Sequence, residues 1–284
     1  MSAMVDQYGV VGHPVAHSWS PFIHTMFAKQ TGQSLVYRLH DVDPEGFRAY
    51  VHEFAASGGR GLNVTVPHKL AAVGLATQLE PRAYRAGAVN TLTFVDRDVI
   101  GDNTDGTGLV RDLTENLGVV LANRRILIAG AGGAVRGVVG PLLETGPVEL
   151  VVAGRTAERA EALAAEFADL GPVRGCGLEE LSLGTFDLVI NATSAGLSGE
   201  VPPIAHEAIS ATTTCYDMGY AKGDTPFVRW ARERGCERAL QGWGMLVEQA
   251  AESFAIWRGV RPETASVLAL LLAPPPPIRP RASS

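Results

Sequence analysis

One stretch limits the chain more than any other. Arg125 to Ala129 is apolar after its arginine, and Gly130-Ala131-Gly132-Gly133-Ala134 follows at once and opens a helical stretch reaching Glu144. A continuously apolar strand belongs inside a parallel sheet covered on both faces. A glycine-rich turn between such a strand and a helix lets backbone approach a pyrophosphate at the free N–H groups of the helix start. An ordinary tight turn is the plain alternative, and strict G-x-G-x-x-G spacing is not met because Val135 stands sixth. The pattern then repeats. Glu149 to Ala153 reads as a strand, Ala157 to Phe167 as a helix, and Leu188 to Asn191 and Thr214 to Asp217 as further buried strands. Together these segments predict a doubly wound parallel sheet.

The end of the second strand addresses the nucleotide. An NAD site uses an acidic residue about 20 residues downstream to hold the ribose 2′-hydroxyl. Here the stretch is Ala153-Gly154-Arg155-Thr156, with Arg159 one helical turn on. Arginines suit a 2′-phosphate through bidentate, charge-assisted hydrogen bonds. Unless both are merely solvated surface residues, the expected cofactor is NADP.

At 284 residues, the chain has length for roughly two domains of about 150 residues each. The first hundred residues form a different alternation. Strands are expected at Tyr8 to Gly12, Val36 to His40 and Leu62 to Val66, and helices at Pro21 to Gln30, Pro44 to about Ala56 and Pro67 to Ala76. Val89 to Phe94 and Val99–Ile100 flank Asp96-Arg97-Asp98 as a hairpin. Thr107 to about Asn116 reads as the helix leading into the second series, and after Gly242 the chain is wholly helical. A C-terminal helical pair often packs back on the first domain in such architectures, which predicts a discontinuous domain of residues 1–105 plus 242–284 around a unit of 106–241.

Composition excludes several functions. The formal charge is −6, with no run of Lys and Arg, so the electrostatic footprint of a nucleic-acid binder is missing. The longest uncharged apolar run, Ala265 to Ala273, is far short of the ~20 residues a membrane helix needs and reads as the end of a core helix. No signal peptide is recognisable at Met1 to Val11. Pro274–Pro277 and the Arg281-Ala-Ser-Ser284 end read as a disordered extension. Cys176, Cys215 and Cys236 show neither paired nor metal-ligand spacing, which fits a reducing cytoplasm. His13 and His17 are separated by Pro14, no H-E-x-x-H string exists, and no metal is expected. The sequence leaves a homodimer open.

Polar residues stand in the first domain where a bare strand or loop would not need them. His17-Ser18-Trp19-Ser20-Pro21 sets two hydroxyls before a helix, either as caps or as a pair able to bind a polyol. In Asn63-Val-Thr65-Val-Pro-His-Lys69 the polar residues alternate, so Asn63 and Thr65 share a face. Lys69 follows the strand end, where open α/β sheets place their ligands, although a lone lysine there is usually a surface residue. Asn90-Thr91 and Gly101-Asp-Asn-Thr-Asp105-Gly106 add amide and carboxylate groups. With A-G-A-V-N-T at 86–91, N-A-T-S at 191–194, Y-D-M-G-Y at 216–220 and G-M-L-V-E-Q at 244–249, the chain from Tyr8 to about Leu272 resembles the shikimate dehydrogenases. Two departures, Val135 for a serine and Gly154 for an asparagine, both fall at the cofactor end.

The resemblance implies an N-terminal α/β substrate domain completed by the C-terminal helices, and a Rossmann-like NADP-binding domain. It implies reversible, NADPH-dependent reduction of 3-dehydroshikimate to shikimate, with Lys69 and Asp105 as the catalytic pair. The matching substrate positions are Ser18, Ser20, Asn63, Thr65, Lys69, Asn90, Asp105, Tyr220 and Gln249, with the carboxylate at the serines and Tyr220. The matching cofactor positions are Gly130, Ala131, Gly132, Gly133, Ala134, Arg155, Thr156, Arg159, Thr193, Ser194, Met218, Gly242 and Met245. Met218 is placed against the nicotinamide, or is simply a core methionine. A shikimate/quinate dehydrogenase preferring NAD is one rival, and a non-catalytic NADP-sensing module is another; retention of both Lys69 and Asp105 argues against the sensor.

Overall fold

The computed structural model describes residues 5–181 and 184–273. The proline-rich tail expected to be disordered lies outside them.

The first sheet contains β1 (Asp6–Gly12), β2 (Leu35–Asp41), β3 (Gly59–Val64), β4 (Gln78–Leu79), β5 (Thr91–Val95) and β6 (Asp98–Asp102), in the order β2-β1-β3-β5-β6-β4. The three strands β1, β2 and β3 run parallel, whereas β5 is antiparallel to both β3 and β6. The expected hairpin therefore exists and makes this sheet mixed. Helices α1 (Ser20–Thr31), α2 (Phe47–Ala56) and α3 (Pro81–Ala86) belong to this half.

The expected helix from Pro67 to Ala76 is not formed. That segment makes a turn, with His68 N–H donating to Thr65 O, and then a short 3-10 helix at Ala71–Leu75. The Lys69 carbonyl, which a helix would use, instead accepts from Val89 N–H at 2.9 Å. Pairing with the segment leading into β5 wins over helix propagation. The serine caps also fail: α1 starts at Ser20 behind Trp19 with no side-chain cap.

Helix α4 (Asp105–Arg111) continues as a π-turn through Asp112–Asn116 and leads to the second sheet. Its strands are β7 (Arg125–Ala129), β8 (Glu149–Gly154), β9 (Val173–Gly177), β10 (Leu188–Asn191), β11 (Thr214–Asp217) and β12 (Arg238–Gln241), all parallel, in the order β12-β11-β10-β7-β8-β9. Strand order reverses between β7 and β10, and ligands of such sheets bind outside the carboxyl ends at that point. Helices α5 (Gly133–Glu144), α6 (Ala157–Glu166) and α7 (Pro226–Glu233) connect the strands. Buried side chains cover both faces, with Ile126, Ile128 and Val152 in one cluster and Leu127, Val151 and Val189 in the other. This explains the unbroken apolar runs in the sequence.

Two helices end the described chain, α8 (Trp243–Arg258) and α9 (Ala265–Leu272). Trp243, Val247, Phe254, Val267 and Leu271 pack with Ile23 and Phe27 of α1, while Met245 lies in the core of the second sheet. Helix α8 thus spans both halves. The run at 265–273 is less buried than its composition predicts, because Leu270 and Leu272 are exposed on a helix that covers its neighbour with one face only. Among the described residues, no helix is long and apolar enough to cross a membrane, and no group of side chains could hold a metal ion.

Candidate active site

Lys69 and Asp105 follow the two strands of the first sheet that flank β5. Lys69 lies on the turn after β3, and Asp105 is the first residue of α4, after β6. Lys69 Nζ stands 2.5 Å from Asp105 Oδ2, with the two side chains 15% and 5% exposed. The other oxygen, Oδ1, accepts from Asn90 Nδ2 at 2.9 Å. A lysine with an uncovered face and a partner that fixes its position can pass a proton to an oxygen placed beside it.

The support for this pair is dense. Asn90 Nδ2 also donates to Thr104 Oγ1 at 2.9 Å and reaches Gln249 Oε1 at 3.4 Å, while Asn90 Oδ1 accepts from Thr104 N–H at 2.8 Å. Asn63 is buried one layer deeper. Its Oδ1 accepts from Tyr37 hydroxyl at 2.7 Å, and its Nδ2 donates to Ser253 Oγ at 2.9 Å and Thr91 Oγ1 at 3.2 Å. Asn63 is therefore engaged within the protein, while Thr65, beyond the end of β3, is only half-buried. His24 stacks on Tyr37 with ring centroids 4.1 Å apart. Neither of its ring nitrogens finds a hydrogen-bond partner, and burial pushes its pKa down to about 3.

Ser18 and Ser20 face one another instead of capping α1, with Ser18 Oγ donating to Ser20 Oγ at 3.1 Å. Tyr220, from the loop after β11, rests on Trp243 with centroids 4.6 Å apart. Burial holds its phenol pKa above the usual value, against hydrogen bonds with the Trp19 backbone and the Ser18 side chain. The two serines and the tyrosine thus converge, although one belongs to the second sheet's half.

On that second half the glycine turn opens α5. Gly130 has φ of +124°, a conformation that glycine tolerates and other residues resist, and a Cβ there would meet Ala192 O at 3.0 Å. Gly132 is the cap residue with no side-chain cap bond, and a Cβ at that position would meet nothing within 4 Å. An uncapped helix start with open space before it fits a pyrophosphate. Ala131 and Ala134 complete the turn with small side chains. At the end of β8, Arg155, Thr156 and Arg159 are exposed, and neither arginine has a partner among the described residues. Those two cations fit a 2′-phosphate. Val135 is wholly buried, so the residue standing for serine is core packing. At Gly154 a Cβ would come within 3.4 Å of Ala131 Cβ.

Thr193 and Ser194 follow β10, and Met218 follows β11 with its N–H donating to Asn191 O at 2.9 Å. Gly242, at the start of α8, donates its N–H to Gly219 O at 3.0 Å, and Met245 is buried one turn later. The halves meet where a Cβ on Gly133 would stand 3.5 Å from Lys69 Cβ. Sequence reasoning did not assign Tyr37, Thr104, Ser253, Asn191 or Asp217. Thr104, Asn191 and Asp217 lie inside the quoted strings and could have been found there; Ser253, a single hydroxyl in an alanine-rich helix, gives no signal.

A phosphate-type helix start set beside a partly open lysine–carboxylate pair defines a two-domain, dinucleotide-dependent dehydrogenase. Comparison with known proteins makes this specific. Residues 10–92 match the shikimate dehydrogenase substrate binding domain, 112–201 the shikimate / quinate 5-dehydrogenase model, and 242–272 the shikimate 5′-dehydrogenase C-terminal domain. The NADP(+) shikimate dehydrogenase of Alkalilimnicola ehrlichii is 57% identical over 268 residues, covering 94% of this chain and 99% of that one. Among solved structures, an Ael1 enzyme from Pseudomonas putida is 46% identical with a TM-score of 0.87, over 95% of this chain and 99% of its own. The Thermus thermophilus shikimate 5-dehydrogenase, in complex with NADP(H) and shikimate, is 34% identical with a TM-score of 0.82, over 93% and 97%. The chain belongs to the shikimate dehydrogenase family.

Proposed function

We propose that this protein catalyses the reversible, NADPH-dependent reduction of 3-dehydroshikimate to shikimate in the cytoplasm, with residues 1–105 and 242–284 as the substrate domain and 106–241 as the cofactor domain. The observation that carries this reading is the 2.5 Å Lys69–Asp105 pair beside the glycine turn of α5. When bound, NADPH supplies the hydride. Lys69 Nζ is placed to donate the proton that converts the substrate's carbonyl oxygen to a hydroxyl as negative charge grows there. In oxidation the neutral amine takes that proton back. Asp105 holds the lysine in place and accepts from a substrate hydroxyl, and Asn90 fixes Asp105 through Oδ1.

Ser18, Ser20 and Tyr220 take the carboxylate, while Thr65, Asn90 and Gln249 face the ring hydroxyls; Asn63 supports that face from below. Gly130 through Ala134 hold the pyrophosphate, and Arg155, Thr156 and Arg159 the 2′-phosphate. Thr193, Ser194, Met218, Gly242 and Met245 border the nicotinamide half. The test is steady-state oxidation of shikimate and quinate, each with NADP and NAD. The expected result is the highest kcat/KM for shikimate with NADP. Preference for NAD supports the shikimate/quinate reading, and no turnover of any pair while NADP binds supports the sensor.

A further inference from the structure

The ends of β10 and β11 carry a second network that proton transfer does not use. Asp217 is buried at the end of β11. Its Oδ1 accepts from Gly219 N–H at 2.9 Å and Asn191 Nδ2 at 3.1 Å, and its Oδ2 accepts from Thr225 hydroxyl at 2.6 Å. Asn191 passes the restraint on, since its Oδ1 accepts from Thr193 N–H at 3.1 Å and Thr193 hydroxyl at 2.7 Å. Thr225 caps α7 by accepting from Val228 N–H at 3.3 Å. One carboxylate therefore fixes the turn carrying Thr193, the turn carrying Met218 and the start of a helix.

Gly219 and Asn191 donate to Oδ1 and the Thr225 hydroxyl donates to Oδ2, so each of these groups satisfies the ionised carboxylate. Burial pushes its pKa above the usual carboxylate value, against the hydrogen bonds from Thr225, Gly219 and Asn191, which favour the charge. Among the described residues, no lysine, arginine or histidine pairs with Asp217. Buried charges are ordinarily paired with an opposite charge, and here the protein provides dipoles alone. The carboxylate lies at the carboxyl edge of the second sheet, one residue before Met218. The oxidised nicotinamide ring carries a positive charge, whereas the reduced ring is neutral.

We propose that Asp217 supplies the fixed negative charge that favours NADP+ over NADPH on this protein, in addition to positioning Thr193 and Met218. This inference rests on the cofactor placement proposed above. A charge acts on one redox form of the ring, whereas a purely positional role affects both, so the two can be separated by binding alone.

The experiment is calorimetric titration of the full chain with NADP+, NADPH and adenosine 2′,5′-bisphosphate, without substrate. Asp217→Asn retains an oxygen for Gly219 and Asn191 and presents an amide to Thr225. It should weaken NADP+ binding about tenfold relative to NADPH, a difference of about 1.4 kcal/mol. Bisphosphate affinity should stay unchanged. Thr225→Val, which keeps the charge and removes one donor, should leave the NADP+/NADPH ratio as in wild type. Asp217→Ser is a second neutral variant should the amide lower bisphosphate affinity, the sign of a disturbed fold, and it should show the same ratio change. An unaltered ratio in the neutral variant that retains bisphosphate binding overturns the proposal, as does an equal ratio change in Thr225→Val. Failure of the wild type to bind all three ligands would instead remove the cofactor reading.

Discussion

The two halves of the site follow opposite plans. Beside the first sheet, Lys69 and Asp105 are nearly covered, and the amides and hydroxyls around them are engaged with one another. Beside the second sheet, the glycine turn presents backbone alone, and Arg155 and Arg159 stand exposed without partners among the described residues. A satisfied buried network holds a single geometry. Exposed cations gain contacts that salt screens, and they contribute to affinity more than to reaction geometry. The difference teaches where to look for each kind of defect: rate on the first side, binding on the second.

The largest effect is expected on the first side. General acid–base groups contribute roughly 10²–10⁴-fold in rate, so Lys69→Ala should lower kcat by about that factor while the shikimate dissociation constant moves little. Steady-state kinetics with parallel calorimetry would show it, and NADP affinity serves as the internal control for folding. An unchanged kcat removes Lys69 from the mechanism.

On the second side the change should appear in KM. Each arginine can add about 1.5–3 kcal/mol through a charge-assisted contact with the 2′-phosphate, with the lower end expected for exposed groups. Arg155→Ala with Arg159→Ala should raise KM for NADP at least about tenfold and leave KM for NAD nearly unchanged. Added salt should shrink the difference. Equal KM changes for both cofactors would blur the contrast between the halves.

A smaller effect tests whether the polar face of the first side binds substrate. Ser18→Ala with Thr65→Ala should weaken shikimate by roughly tenfold, from about 0.5–1.5 kcal/mol per lost hydrogen bond, and spare NADP. Calorimetric titration of each ligand measures this; equal losses would point to a folding defect.

The smallest effect concerns stability. His24 is buried and neutral, with its pKa pushed down to about 3. The unfolded chain takes up a proton near pH 6.5 that the folded protein refuses, so His24 costs the fold nothing above that pH and progressively more as pH falls toward 3. The cost approaches about 1.4 kcal/mol per pH unit within that window. His24→Phe should therefore show a smaller drop in Tm between pH 7 and pH 5 than wild type. Parallel Tm curves would mean that His24 is not the group responsible.

The second sheet was the more legible part of the sequence, because strands buried on both faces must be apolar along their whole length. Its strands β7, β10 and β11 fall where the pattern places them. Strands β9 and β12 escaped because Val173-Arg-Gly-Cys-Gly177 and Arg238-Ala-Leu-Gln241 are short, mixed edge strands. In the first half, the Pro67 to Ala76 segment was misread because local propensity does not reveal that Val89 takes the Lys69 carbonyl. At the site, Lys69 and Asp105 could be found from their strings, yet their 2.5 Å contact joins residues 36 apart and exists only through the mixed sheet. Ser253, 190 residues from Asn63, could not be paired with it from sequence.

The central claim is that the buried pair sets the chemical rate while the exposed arginines set cofactor affinity. Single-turnover reduction of 3-dehydroshikimate by NADPH, with both ligands saturating, tests it directly. Wild type and the Arg155→Ala, Arg159→Ala double variant should react at the same rate, and Lys69→Ala should be slower by about 10²–10⁴-fold. A slow double variant, or a Lys69→Ala protein at the wild-type rate, would contradict the account.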